Sequence, residues 1–189
     1  MRDSLRWHLG SVGLSAEVFA TAEEFLNACH PDRPGCLLLD VRMPGMSGLN
    51  LQEELAARHY TLPIIVMTGF AEVATAVRAL KTGAIDFIEK PFSSEFLLER
   101  IRQAIDADRQ ARDAQAWRSQ VAERFALLTA RERAVMELVV AGKANKVIAG
   151  ELGLSAKTVE VHRANVMKKT GADSVADLVR RALLLRGNP

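Results

Sequence analysis

Cysteine is scarce in this sequence: Cys29 and Cys36 are the two in 189 residues, and they form no CxxC pair. A disulfide or metal framework needs more ligands at tighter spacing, so both thiols read as reduced, structural residues. Long apolar runs are missing too. None approaches the roughly 18 residues that a membrane helix needs. Met1 leads into Arg2, Asp3 and a broken pattern rather than the apolar core of a signal peptide. The cytoplasm is the expected compartment, with no membrane partner. Internal repeats and low-complexity segments are absent as well.

What is present is ordinary in amount and uneven in placement. A content of 49% hydrophobic and 25% charged residues suits one large soluble domain or two small ones. The formal net charge of +2 hides a gradient. Residues 1–105 sum to −3, residues 106–124 are balanced, and residues 125–189 sum to +5. The basic C-terminal stretch is therefore the candidate polyanion binder.

Along the first two-thirds, short apolar runs alternate with helical periodicity, the pattern of a parallel sheet covered by helices. Cys36–Asp40 and Pro63–Thr68 read as strands buried on both faces, Asp86–Lys90 as a shorter third, and Ala16–Phe19 as a fourth. Helices are expected over Asp3–Val12, Ala22–Cys29, Leu49–Arg58 and Glu72–Thr82, with Val73, Val77 and Leu80 on one face of the last. A long helix begins at Ser93 and continues well past Ala104. Its apolar stripe thins from Asp106, so residues 106–124 read as a helical linker between domains 1–105 and 125–189, with Asp108 and Arg112 at i, i+4.

The last stretch is helical throughout. Thr129-Ala-Arg-Glu132 is a capping box that starts a helix ending near Gly142. Asn145–Leu152 makes a second helix, Gly153-Leu154 a tight turn, Ser155 the N-cap of a third, and Ser174–Leu185 a fourth. Two short helices joined around a glycine turn form a helix-turn-helix signal.

Three strand ends carry groups with matching chemistry. Asp40, Thr68 and Lys90 each close a strand, and parallel sheets gather their ligand sites at that edge. A carboxylate can accept a phosphoryl group, a hydroxyl can donate to its oxygens, and an ammonium can balance its charge. The trio reads as an aspartyl-phosphate site.

In the third C-terminal helix, Val159, His162 and Val166 fall at core spacing, and His162 is expected to be a satisfied structural residue. Lys157, Glu160, Val161, Ala164 and Lys168 then lie on the outer face, where a recognition helix meets base edges. Arg163, and Lys146 near the start of the second helix, are placed to reach phosphates.

Asp40-Val-Arg-Met-Pro-Gly-Met-Ser-Gly48, Met67-Thr-Gly69 and Lys90-Pro91 resemble the receiver signatures of two-component response regulators. Leu128-Thr-Ala-Arg-Glu-Arg133, Asn145-Lys146 and Thr158-Val-Glu-Val-His162 resemble the LuxR-type DNA-binding domain, and the whole chain resembles the FixJ/NarL branch of these regulators. The resemblance implies a flavodoxin-like (CheY-like) α/β receiver followed by an all-α four-helix domain. It implies phosphorylation of Asp40 by a sensor histidine kinase, with Thr68, Phe87 and Lys90 as switch residues and Thr158 in the DNA-binding set. It further implies dimerisation through Val77 and Lys81, promoter DNA and RNA polymerase as partners, and a Lys90-Pro91 bond that is cis.

One departure stands out. Receivers of this family begin with a strand ending in two acidic residues that bind Mg²⁺ together with the phosphoacceptor. Met1 already lies where the following helix belongs, and Asp3 sits within that helix. Asp40 is then a partial metal site, and Mg²⁺ is a doubtful cofactor. In the strand order 2-1-3-4-5 the missing strand is the central one, flanked by Ala16–Phe19 and Cys36–Asp40. Its loss exposes two edges and costs several buried side chains of about 1.5–3 kcal/mol each. The receiver is expected either to start upstream of Met1 or to have degenerated.

Three functions compete at this point. One is a phosphorylation-controlled transcription factor; another is a phosphorylation-independent DNA-binding regulator whose receiver serves as a dimerisation module. The third is a hydrolase using Asp40, which is disfavoured because Arg42 stands where such phosphatases place a second Asp. No enzymatic activity is expected.

Overall fold

The computed structural model describes residues 2–30, 33–69 and 73–187. The chain divides into two compact units, Met1–Arg112 and Asp113–Pro189. The first contains helix α1 (Arg2–Ser11), α2 (Ala22–Ala28), strand β1 (Leu37–Asp40), α3 (Gly48–Ala57), β2 (Ile64–Thr68), α4 (Val73–Lys81) and β3 (Asp86–Glu89). Helix α5 (Ser94–Ala126) runs from the first unit into the second.

The three strands form a parallel sheet in the order β1-β2-β3. Successive side chains of β2 point to opposite faces. Ile65 and Met67 pack with Leu9 of α1 and with Leu97, Ile101 and Ala104 of α5. Ile64 and Val66 pack with Leu51 and Leu55 of α3 and Ala79 of α4. Every residue of β2 is buried, which explains its unbroken apolar sequence.

Ala16–Phe19, expected as a strand, joins no ladder. Helix α1 buries Leu9 alone among its residues, and Trp7 is 77% exposed. The expected Glu72 start of α4 lies outside the described residues; from Val73 the helix is as expected.

Helix α5 is anchored within the first unit by a contact that periodicity does not reveal. Asp108 is 3% exposed, accepts from the Gly35 amide at 3.0 Å and pairs with Arg112 at 2.8 Å. Arg112 also donates to the Arg33 carbonyl at 2.8 Å. The i, i+4 pair thus clasps the loop before β1 to the helix. Cys36, beside this clasp, is a free thiol that burial pushes up to about 11.

The second unit packs the end of α5 with α6 (Ala130–Val140), α7 (Asn145–Leu152), α8 (Ala156–Thr170) and α9 (Val175–Arg186). Its core holds Val121, Phe125, Val135, Ile148, Val159, Val166 and Leu178. Gly153 ends α7 at φ 63°, a left-handed turn that suits glycine, and Ser155 caps α8 through the Thr158 amide.

The capping box is formed in full, since Thr129 Oγ1 accepts from the Glu132 amide while Glu132 accepts from the Thr129 amide at 2.8 Å. Lys169, far along the chain, pairs with the same carboxylate at 2.6 Å. The Lys169 ammonium first, and then the Thr129 amide, hold the Glu132 carboxyl down to about 2 from its ordinary 4.5. A depressed carboxyl contributes stability that is complete above pH 4.5 and is lost as pH falls toward 2. Glu132→Gln should therefore lower the Tm of the second unit at neutral pH and flatten its acid loss across that window. An acid profile matching the parent's would contradict the pairing.

Candidate phosphoacceptor site and nucleic-acid interface

Parallel register brings the three expected strand ends together. Asp40 lies opposite Met67, and Thr68 opposite Glu89. The Lys90 amide then donates to the Thr68 carbonyl at 2.7 Å. Lys90 Nζ reaches Asp40 Oδ2 at 2.5 Å, with the two side chains 19% and 32% exposed. The other Asp40 oxygen accepts from the Arg42 amide at 3.2 Å. Thr68 is buried at 2% exposure, at the end of the central strand β2. The Lys90-Pro91 peptide is cis. A half-exposed carboxylate fixed by an ammonium is placed to meet an incoming phosphoryl group, and the same ammonium can balance the added charge.

Phe87 is half-buried and packs with the cluster around Leu39, Val66 and Ala79. Along α4, the apolar stripe of Val73, Val77 and Leu80 faces outward at 79%, 44% and 50% exposure, with Lys81 also exposed.

Receiver domains generally bind Mg²⁺ for phosphorylation, and Asp40 is one candidate ligand. The cation takes oxygen ligands in near-octahedral geometry. Among the described residues no three carboxylate, thiol or imidazole side chains gather at one point. Asp3 stands exposed in the first turn of α1, and the Asp40 oxygens are already engaged by Lys90 and by the Arg42 amide.

In the second unit, α8 presents Lys157, Glu160, Val161, Ala164 and Lys168 to solvent as its spacing predicts, and Lys146 of α7 is exposed. Thr158 is half-buried, its hydroxyl 2.8 Å from that of Ser155. Lys157 and Glu160 lie 3.8 Å apart, an exposed pair of little energetic weight. Arg163 Nη1 donates to Asn145 Oδ1 at 2.7 Å and ties α8 to the start of α7. His162 is half-buried, and among the described residues its buried Nδ1 has no hydrogen-bond partner. The Arg163 bond reaches another helix, which the spacing along α8 does not encode.

Residues 1–102 match the response regulator receiver domain, and residues 126–182 match the luxR family of bacterial regulatory proteins. The chain belongs to the response regulators that join a receiver to a LuxR-type DNA-binding domain. It is 46% identical over 180 residues to Nodulation protein W of Bradyrhizobium diazoefficiens, covering 95% of this chain and 79% of that protein. To the Transcriptional regulatory protein FixJ of Azorhizobium caulinodans it is 47% identical over 184 residues, covering 97% and 87%. Among solved structures, the response regulator StyR superposes with a TM-score of 0.88 at 43% identity, covering 96% of this chain and 92% of that one. Full-length FixJ from B. japonicum gives 0.59 at 44% identity, covering 98% and 92%. The protein is thus a DNA-binding transcriptional regulator of a two-component system, a family that implies DNA and a sensor kinase as partners. Its family is one of transcriptional regulators rather than of typical enzymes. Among the described residues, no helix is long and apolar enough to cross a membrane.

Gly48 shows how tightly the site is built. A Cβ at this position would strike the Asp40 carbonyl and crowd the Leu39 side chain. The first turn of α3 therefore lies directly on the end of β1. Gly48→Ala should destabilise the first unit by about 1–3 kcal/mol, read as a lower urea midpoint at unchanged slope. A midpoint equal to the parent's would show that the contact is not close.

Proposed function

We infer that Asp40 is the phosphoacceptor and that the outer face of α8 reads promoter DNA. The observation that carries the first assignment is the 2.5 Å Lys90–Asp40 pair at the joint end of three parallel strands, with Thr68 buried on the strand between. The Asp40 carboxylate attacks the phosphorus of the kinase's phosphohistidine. The P–N bond breaks, the Asp40 O–P bond forms, and the imidazole leaves and takes up a proton. The Lys90 ammonium then faces the new phosphoryl charge, and the Thr68 hydroxyl donates to a phosphoryl oxygen. Phe87 follows Thr68 as the relay to α4.

The outward apolar face of α4, Val73, Val77 and Leu80 beside Lys81, supports dimerisation of the phosphorylated form through this helix and β3. Residues 106–124 serve as the connecting helix between a receiver, 1–105, and a DNA-binding domain, 125–189. The cytoplasm is the compartment in which the kinase, the promoter and RNA polymerase would all be met. Turnover of a substrate is no part of this reading.

The same site supports a second reading, in which the receiver acts without phosphorylation. Among the described residues no three carboxylate, thiol or imidazole side chains gather at one point, and Lys90 already pairs with the carboxylate. Incubation with acetyl phosphate and residue mapping separates the two. Under the first reading the label falls on Asp40, is lost in Asp40→Asn, and accumulates slowly with little dependence on Mg²⁺. A label retained in Asp40→Asn removes the assignment, and rapid Mg²⁺-dependent labelling contradicts the description of the metal site.

On the DNA side, exposed lysines and the exposed carboxylate should fail differently. Lys168→Ala or Lys146→Ala should weaken promoter and random duplexes alike and shallow the salt slope by about 1 unit. Glu160→Ala should relax preference at one base-pair position by roughly 1–3 kcal/mol, since a carboxylate there can accept from a cytosine amino group. Uniform loss in all three variants would place Glu160 away from the bases.

A further inference from the structure

The second unit carries an open pocket of about 720 Å³, lined by Trp117 and Arg118 of α5 and by residues of α9. Part of the lining is apolar: the Trp117 indole is 45% exposed, and Leu183 is exposed beside it. The rest is cationic. Arg118, Arg180, Arg181 and Arg186 stand there against a single carboxylate, Asp177.

The four arginines are not equivalent. Arg181 is buried and fully engaged: it pairs with Asp177 at 2.7 Å, donates to the Thr170 carbonyl at 3.2 Å, and lays its guanidinium 5.0 Å from the centre of the Trp117 ring. It holds one face of the indole, and the exposed remainder of the ring opens on the pocket. Arg180 pairs with the other Asp177 oxygen through Nη2 at 2.7 Å, with its side chain 80% exposed. Both oxygens of the carboxylate are thus taken. Arg118 and Arg186 are exposed and enter no ion pair among the described residues. The Arg118 guanidinium lies 3.9 Å from the place that a Gly187 Cβ would take, at the C-terminal end of α9, where backbone carbonyls favour a cation.

This lining selects for chemistry. A guanidinium offers paired N–H donors that match the oxygens of a phosphate, and several around one pocket suit a ligand with more than one negative charge. An indole held on one face offers a flat apolar surface to a planar ring. The volume suits a compact ligand rather than an extended chain. We propose that the pocket binds a purine nucleoside di- or triphosphate, with the base against Trp117 and Leu183 and the phosphates on Arg118, Arg180 and Arg186. Lys146, Lys157, Glu160 and Lys168 do not line it, and the proposal rests neither on Asp40 nor on the DNA-reading face.

The test uses the full chain with Trp7→Phe, which leaves Trp117 as its one tryptophan, and ADP as the probe. ADP should quench Trp117 fluorescence saturably. Adenosine by direct titration, and pyrophosphate by competition, should each bind at least about tenfold more weakly, since each lacks half of the recognised chemistry. Arg118→Ala and Arg186→Ala change exposed side chains, so each should keep the parent's Tm while weakening ADP at least about tenfold. Lys168→Ala should bind ADP as the parent does. Absence of saturable quenching overturns the proposal, as does unchanged affinity in both arginine variants. Pyrophosphate binding as tightly as ADP overturns it by reducing the pocket to a general anion site. An equal loss in Lys168→Ala does so by moving the probe to the DNA-reading face. A single-stranded oligonucleotide that displaces ADP at lower concentration than ADP itself binds also overturns it, by making nucleic acid the occupant.

Discussion

A parallel ladder delivers every strand in the same direction, so whatever closes each strand is collected at one edge. The chemistry proposed for the first unit follows from that constraint. Asp40, Thr68 and Lys90 are far apart in the chain, yet the register of β1, β2 and β3 sets them side by side. The helices serve the same end: α3 presses its first turn onto the Asp40 carbonyl, and α5 holds the loop before β1 through Asp108.

The second unit solves a different problem. A recognition helix must present polar side chains outward while its inner face is locked, and α8 does so through Val159 and Val166 in the core. Arg163 bonds to Asn145 and Lys169 to Glu132, which fix α8 to α7 and α6 with side chains a sequence pattern would assign to solvent or phosphate. Charged residues on such a helix therefore divide between those that hold it in place and those that stay exposed, Lys157, Glu160 and Lys168 among them.

Much of this was legible in the sequence, for physical reasons that differ by element. β2, buried on both faces, writes itself as an unbroken apolar run, and the shorter apolar run of β1 ends at Asp40, so both were readable to within a residue. Capping chemistry is local, which is why Thr129, Ser155 and the Gly153 turn were readable too. What failed was non-local. Ala16–Phe19 carries strand composition but joins no ladder, and Arg163 finds its acceptor 18 residues away. Asp108 was readable as half of an i, i+4 pair, but its bond to the Gly35 amide spans 73 residues and leaves no local trace.

The account joins a phosphoacceptor in one unit to a DNA-reading helix in the other, and the full chain tests that link most directly. Affinity for promoter and random duplexes would be titrated with and without acetyl phosphate, for the parent and for Asp40→Asn. The account predicts tighter promoter binding by the treated parent, no gain in Asp40→Asn, and a smaller effect on random DNA. Identical promoter affinity in all four conditions would contradict it.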